Sequence, residues 1–163
     1  MGRFLAIFLA VQVVLFGLEM LEPVRRAVVD PWTGTVAAMS VWLVSAFDAG
    51  VQVHGAVIRS LANGFAVEIQ AGCNGIEACI TLAAAMVAFP SPWRYRLLGL
   101  LAGFLAVQAL NLVRVVSLFY LGQWHFRAFE IAHLYLWQAL ILIDALVVFL
   151  VWARHVPRDR AHG

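Results

Sequence analysis

Cys73, Arg114 and His133 are the residues of this chain whose types could together break a peptide bond. A cysteine thiolate is a nucleophile. An arginine guanidinium cannot be neutralised, and its fork of N–H donors can hold a carbonyl oxygen or a developing oxyanion. A histidine moves protons near neutral pH and could protonate a departing amine. Gly72 and Gly75 flank the cysteine with the smallest side chains and leave room for a substrate backbone. Asn111 stands one helical turn before Arg114, and Glu77 one turn after Cys73, so both could orient the three.

The elements that must position these residues follow from composition. The chain has 163 residues, enough for one domain, and 64% of them are hydrophobic against 12% charged. An ordinary soluble domain carries about 25% charged and about 45–50% apolar residues. So small a body cannot hide that excess, because small domains have the least favourable ratio of surface to volume. A soluble globule, a disordered chain and a secreted disulfide mini-protein are excluded, leaving an all-α polytopic membrane protein. All eleven basic residues are arginine, and they are scattered, which leaves no stripe to track a nucleic acid. Cys73 and Cys79 are six residues apart, a turn of roughly 240° on a helix, and they lack C-x-x-C spacing, which argues against a thiol–disulfide exchanger. His54, His125 and the tail histidines have no metal-ligand spacing, so neither a metal nor another cofactor is expected.

A spanning helix needs about 20 mostly apolar residues. Residues 4–21 qualify, and without a small-x-small cleavage site after them they read as a retained anchor. Residues 31–47 are borderline: Val36, Met39, Leu43 and Phe47 form an apolar stripe beside Thr35, Ser40 and Ser45, which favours an interfacial helix. Residues 50–72 alternate polar and apolar types, and 51–54 and 65–70 read as two strands with a turn at Asn63-Gly64. Residues 73–90, 97–121 and 131–153 complete the expected spans. The total is four transmembrane helices, or five if 31–47 crosses, with a small extracytoplasmic hairpin-like segment in a single domain over 1–163. The Arg-bearing turn 90–96 and the tail with Arg154, Arg158 and Arg160 belong in the cytoplasm. Cys73 and the loop 122–130 are then outside.

On that topology Arg114, about 25 Å along its helix from Leu97, reaches the outer face of the membrane. Cys73 and His133 each open a helix at the same level. A cysteine at a helix N-terminus faces the positive end of the macrodipole, which would lower its pKa. Plainer readings compete with each residue. Cysteine is a common small residue of membrane helices, arginine near a helix end snorkels to headgroups, and an interfacial histidine is often only a satisfied polar group. Glu77 could cap its helix, and Asp144 reads as a buried partner for Gln108 rather than a proton relay. Gly99-x-x-x-Gly103 suits close helix packing.

The segment Ala71-Gly72-Cys73-Asn74-Gly75-Ile76-Glu77, followed by Asn111-Leu112-Val113-Arg114 and then His133, resembles the exosortase/archaeosortase family of multi-pass membrane enzymes. The Cys-Asn-Gly-Ile-Glu-Ala wording and the Ala-Phe-Pro end of that helix are most similar to exosortase H. The likeness covers about residues 50–150, and longer members have additional N-terminal spans. It implies a cysteine peptidase or transpeptidase of the bacterial cytoplasmic membrane, working on its outer side. Cys73 would be the nucleophile, assisted by Arg114 and His133, with Asn111, Glu77 and Asn74 in support. The implied partners are exported proteins bearing a C-terminal motif, a hydrophobic helix and a basic tail, with water or an amine as acceptor of the acyl group. The strands of 50–72 could receive the extended motif by strand addition. Two other classes compete: a non-catalytic membrane scaffold or assembly factor, and a small transporter or export accessory that binds an anion at Arg114.

Overall fold

The computed structural model describes residues 2–157; Arg158 and Arg160, part of the basic tail expected in the cytoplasm, lie outside them. Helix α1 covers Gly2–Glu19 and α2 covers Glu22–Val44, with a π-helical stretch at Arg25–Val29. Three strands follow: β1 at Val51–His54, β2 at Val57–Ser60 and β3 at Ala66–Glu68. Helix α3 is Ile76–Ala88, α4 is Trp93–Trp124 and α5 is Phe126–His155. Among the described residues four helices, α1, α2, α4 and α5, are long and apolar enough to cross a membrane. Thus the architecture is a polytopic helical membrane protein with one small sheet.

The helices depart from the sequence expectation in three places. Helix α3, expected over 73–90, has 13 residues, about 20 Å of rise, shorter than a bilayer core of about 30 Å. Helix α2 has the length and hydropathy for a crossing, but its C-terminal half packs on the sheet. There Val36, Ala37 and Val44 share a core with Val51, Ile58, Ile69, Val115 and Phe119. The face it buries is Thr33, Val36, Ala37, Ser40 and Val44, while Met39, Leu43 and Phe47 are exposed, so of the expected apolar stripe only Val36 is inside. Buried Ser40 satisfies its hydroxyl on Val36 O at 2.8 Å, which lets a polar residue sit on the packed face. The expected loop 122–130 is almost wholly helical. Only His125 is extended, and its Nδ1 accepts from the Ala128 N–H at 3.2 Å as the cap that restarts the helix.

The strand-forming segment has three strands rather than two. Antiparallel order β1-β2-β3 pairs Val53 with Ile58 and Ile58 with Val67. The β1–β2 turn is made by Gly55 at φ +59°, and the second turn passes through Asn63-Gly64 as the sequence indicated. Strand β2 escapes a pattern search because Arg59 and Ser60 interrupt its apolar alternation, although Ile58 and Ser60 are both buried.

Close approach of α3, α4 and α5 depends on Gly99 and Gly103. A Cβ on Gly103 would stand 2.6 Å from Leu82 Cδ2, and one on Gly99 would run into the Trp152 ring. Trp152 in turn donates to Tyr95 O at 2.9 Å, tying the end of α5 to the start of α4. Arg94, Arg96 and Arg154 therefore gather at one end of the bundle, and the sheet lies at the other.

Candidate functional site

Strand β3 delivers the chain to the site. Ile69, 3% exposed, anchors its end in the core, and the next residues fold into a turn closed by the Cys73 N–H donating to Gln70 O at 2.9 Å. Gly72 at φ +88° and Gly75 at φ +80° occupy the left-handed region that disfavours residues with a Cβ. At Gly75 space forbids one too: a Cβ would stand 2.8 Å from Gln108 Nε2.

Asn74 between them is wholly buried and pins the turn from both sides. Its Nδ2 donates to Thr33 Oγ1 at 3.0 Å, its Oδ1 accepts from the Ile76 N–H at 3.0 Å, and its carbonyl accepts from Trp32 Nε1 at 3.3 Å. Asn74 is thus the side chain that satisfies the start of α3, the role considered for Glu77. Glu77 instead folds back toward the turn, with Oε1 4.0 Å from where a Gly72 Cβ would be.

Cys73 lies three residues before Ile76, not on the helix, and its thiol is free and half-buried. The expectation of a thiol acidified by a helix end is overturned. Burial pushes the Cys73 thiol above its ordinary 9.0, Arg114 beside it pulls the other way, and Glu77 adds to the rise. Such a thiol rests protonated and needs a base.

Arg114, on α4, is 3% exposed and reaches into the turn. Its Nη1 donates to Gly72 O at 3.5 Å and its Nη2 to Cys73 Sγ at 3.6 Å, while its Nε has no partner. Among the described residues Arg114 has no ion pair; the salt bridges there are those of Glu22 with Arg25 and Arg26. A buried charge without a counter-ion is costly, and its contacts here are long and few. Its N–H groups therefore have capacity left for an incoming oxygen.

His133 enters from α5, within a π-helical stretch at Ala132–Leu136, the kind of local unwinding that often marks functional positions. Its ring stacks parallel on Phe129 at 5.6 Å between centroids, and its Nδ1 has no hydrogen-bond partner. Cys73, Arg114 and His133 line one cavity of about 180 Å³, walled on the other side by Val67, Glu68 and Gln70.

The supporting residues divide. Asn111 is wholly buried one turn below Arg114, yet neither amide atom has a partner, so it does not hydrogen-bond to Cys73 or Arg114. Gln108 donates to Cys79 Sγ at 3.6 Å and makes no hydrogen bond to Asp144, whose Oδ2 is unpartnered; the expected pair does not form. The strand expected over 65–70 ends at Glu68, and Gln70 lies in the turn beyond it. Two participants were not legible in the sequence. Trp32 and Thr33 meet Asn74 across 42 and 41 residues of chain. Among the described residues no three His, Cys, Asp or Glu side chains gather to hold a metal ion.

Fold and site together define a polytopic helical membrane protein with a thiol, a guanidinium and an imidazole converging at one end of its bundle. The family model for the transmembrane exosortases (EpsH) matches residues 2–153, and the chain belongs to that family. No curated protein and no solved structure matches it significantly.

Proposed function

We propose that this exosortase is a membrane-embedded cysteine peptidase or transpeptidase that cleaves C-terminal sorting signals of exported proteins. The observation that carries this reading is the shared cavity: a free thiol, an unpaired buried guanidinium and an imidazole with a free nitrogen line the same 180 Å³. In the reaction His133 takes the Cys73 proton, and the thiolate attacks the peptide carbonyl carbon. The carbonyl oxygen becomes an oxyanion held by Arg114 N–H groups. Collapse of the tetrahedral intermediate forms a thioester and expels the amine, which takes the proton from His133. Water or an amine acceptor then attacks the thioester, and the thiol leaves with a proton. Asn74 holds the turn that carries the nucleophile, Glu77 lies beside that turn, and Asn111 lies beneath Arg114.

The cavity faces the outside of the cytoplasmic membrane on this reading, because Arg94, Arg96 and Arg154 lie at the opposite end of the bundle and arginines in short loops favour the cytoplasm. The C-terminus is then cytoplasmic. The substrate would present its hydrophobic helix to the bilayer beside the bundle and its basic tail to the cytoplasm.

The deciding experiment follows a membrane-anchored reporter with a candidate C-terminal signal in cells, using wild type, Cys73→Ala and Cys79→Ala brought to equal membrane levels. Loss of the cleavage shift with Cys73→Ala alone is expected. Equal processing by all three would overturn the nucleophile assignment and favour a scaffold.

A further inference from the structure

Strand β3 ends the sheet, and its outer edge is unpaired. Which of its main-chain groups face outward follows from the ladder. Ser60 N–H donates to Phe65 O at 2.8 Å and Ile69 N–H donates to Ala56 O at 2.9 Å, with Ile58 opposite Val67 between them. Antiparallel pairing alternates, so Phe65, Val67 and Ile69 spend their backbone groups on β2. Ala66 and Glu68 turn theirs to the open side. Beyond them the Gln70 carbonyl is taken by the Cys73 N–H, which folds the thiol back to the end of the same edge. The cavity reaches this edge at Glu68, continues along Ile69 and Gln70, and is closed by Arg114 of α4 and by Phe129 and His133 of α5.

We propose that the open edge of β3 is the peptide-binding surface, on which an extended segment of the substrate adds as a fourth strand through the N–H and C=O groups of Ala66 and Glu68. This rests on the peptidase reading above and states where that substrate is held. An extended peptide is the occupant because what the edge presents is a row of main-chain donors and acceptors at strand spacing, leading to a nucleophile and an oxyanion donor. Main-chain pairing fixes the scissile carbonyl relative to Cys73 without reference to side-chain identity. The exposed side chains of Glu68 and Gln70 then discriminate among sequences.

The test uses the whole protein in detergent, carrying Cys79→Ser so that Cys73 is the single thiol. Alkylation of Cys73 is timed with iodoacetamide, with the chloromethyl ketone of Ala-Ala-Ala, and with the same peptide reagent methylated on its main-chain nitrogens. Glu68→Pro removes an outward N–H that the sheet does not use, a position where an edge strand tolerates proline. The peptide reagent should lose about tenfold in rate on either change, the worth of a main-chain hydrogen bond, while the iodoacetamide rate holds. Unchanged peptide rates under both changes, with iodoacetamide also unchanged, would overturn the proposal. If Glu68→Pro disturbs the iodoacetamide rate, the variant has lost its fold and the methylated reagent on the parent chain decides. Reporter cleavage that persists in Cys73→Ala would refute the peptidase reading, a separate outcome from failure of the reagent ratio.

Discussion

Replacing Asn74 by alanine tests how the nucleophile is held. The side chain is fully buried and makes two hydrogen bonds at 3.0 Å, one to Thr33 Oγ1 and one from the Ile76 N–H. Each intramolecular bond of this kind contributes about 0.5–1.5 kcal/mol net. Leaving the first N–H of α3 without a partner costs about 1–3 kcal/mol where it is buried. The Thr33 hydroxyl still donates to Val29 O at 2.8 Å, so only the helix N–H is stranded. The sum is about 2 kcal/mol, and at about 2–4 °C per kcal/mol for a chain of this length the melting temperature should fall by roughly 4–8 °C. The loss should be local in origin: the turn 70–75 loosens while the α3–α4–α5 packing persists. In a Cys79→Ser background the same variant should therefore alkylate at Cys73 faster than its parent, because the half-buried thiol is uncovered. Thermal unfolding in detergent by circular dichroism gives the first number and timed maleimide labelling the second. A melting temperature within about 2 °C of the parent, with labelling unchanged, would refute the claim that Asn74 pins the turn.

Further expectations concern the charge, the thiol and the packing. Arg114→Lys keeps the charge but loses the fork, and reporter cleavage should fall by about 10²–10³, as on removal of an oxyanion donor; cleavage at the wild-type rate would remove Arg114 from that role. Burial raises the Cys73 pKa, and the thiolate is the reactive form, so the pH–rate profile of its alkylation should still be climbing at pH 9.0. Arg114→Gln removes the group that lowers this pKa and should move the profile to still higher pH, whereas a plateau at neutral pH would contradict the burial reading. Gly103→Ala forces a methyl against Leu82 and should cost about 1–3 kcal/mol by overpacking, read as a lower melting temperature with the iodoacetamide rate of Cys73 unchanged.

Legibility in the sequence followed the range of the physics involved. The bilayer as solvent acts on composition, so an apolar chain with few charges reads as a bundle from its residues alone, and Gly99 and Gly103 read as packing positions because a missing side chain has one geometric consequence. Cys73, Arg114 and His133 could be singled out because their types are costly or reactive in such a setting. Their meeting could not: Arg114 reaches Cys73 across 41 residues of chain, and His133 turns to the cavity within a π-helical stretch that its own sequence does not announce. Strand β2 was hidden because one of its two buried positions is the polar Ser60, and the buried face of α2 was misplaced because buried Ser40 bonds its own backbone and so counts as polar only on paper. The pKa of Cys73 was misjudged for the same kind of reason, since a shift depends on what surrounds the thiol and not on its distance in sequence from a helix.

By itself, then, the sequence determined the solvent, the helical class and the chemical inventory, all of which are sums over residues or short spacings. Only the tertiary structure decided that one turn, held by the bond of Asn74 to Thr33 of α2 and by two left-handed glycines, places the thiol beside Arg114. Those contacts join segments 40 or more residues apart, and such distances are fixed by how the whole chain packs, not by any stretch of it.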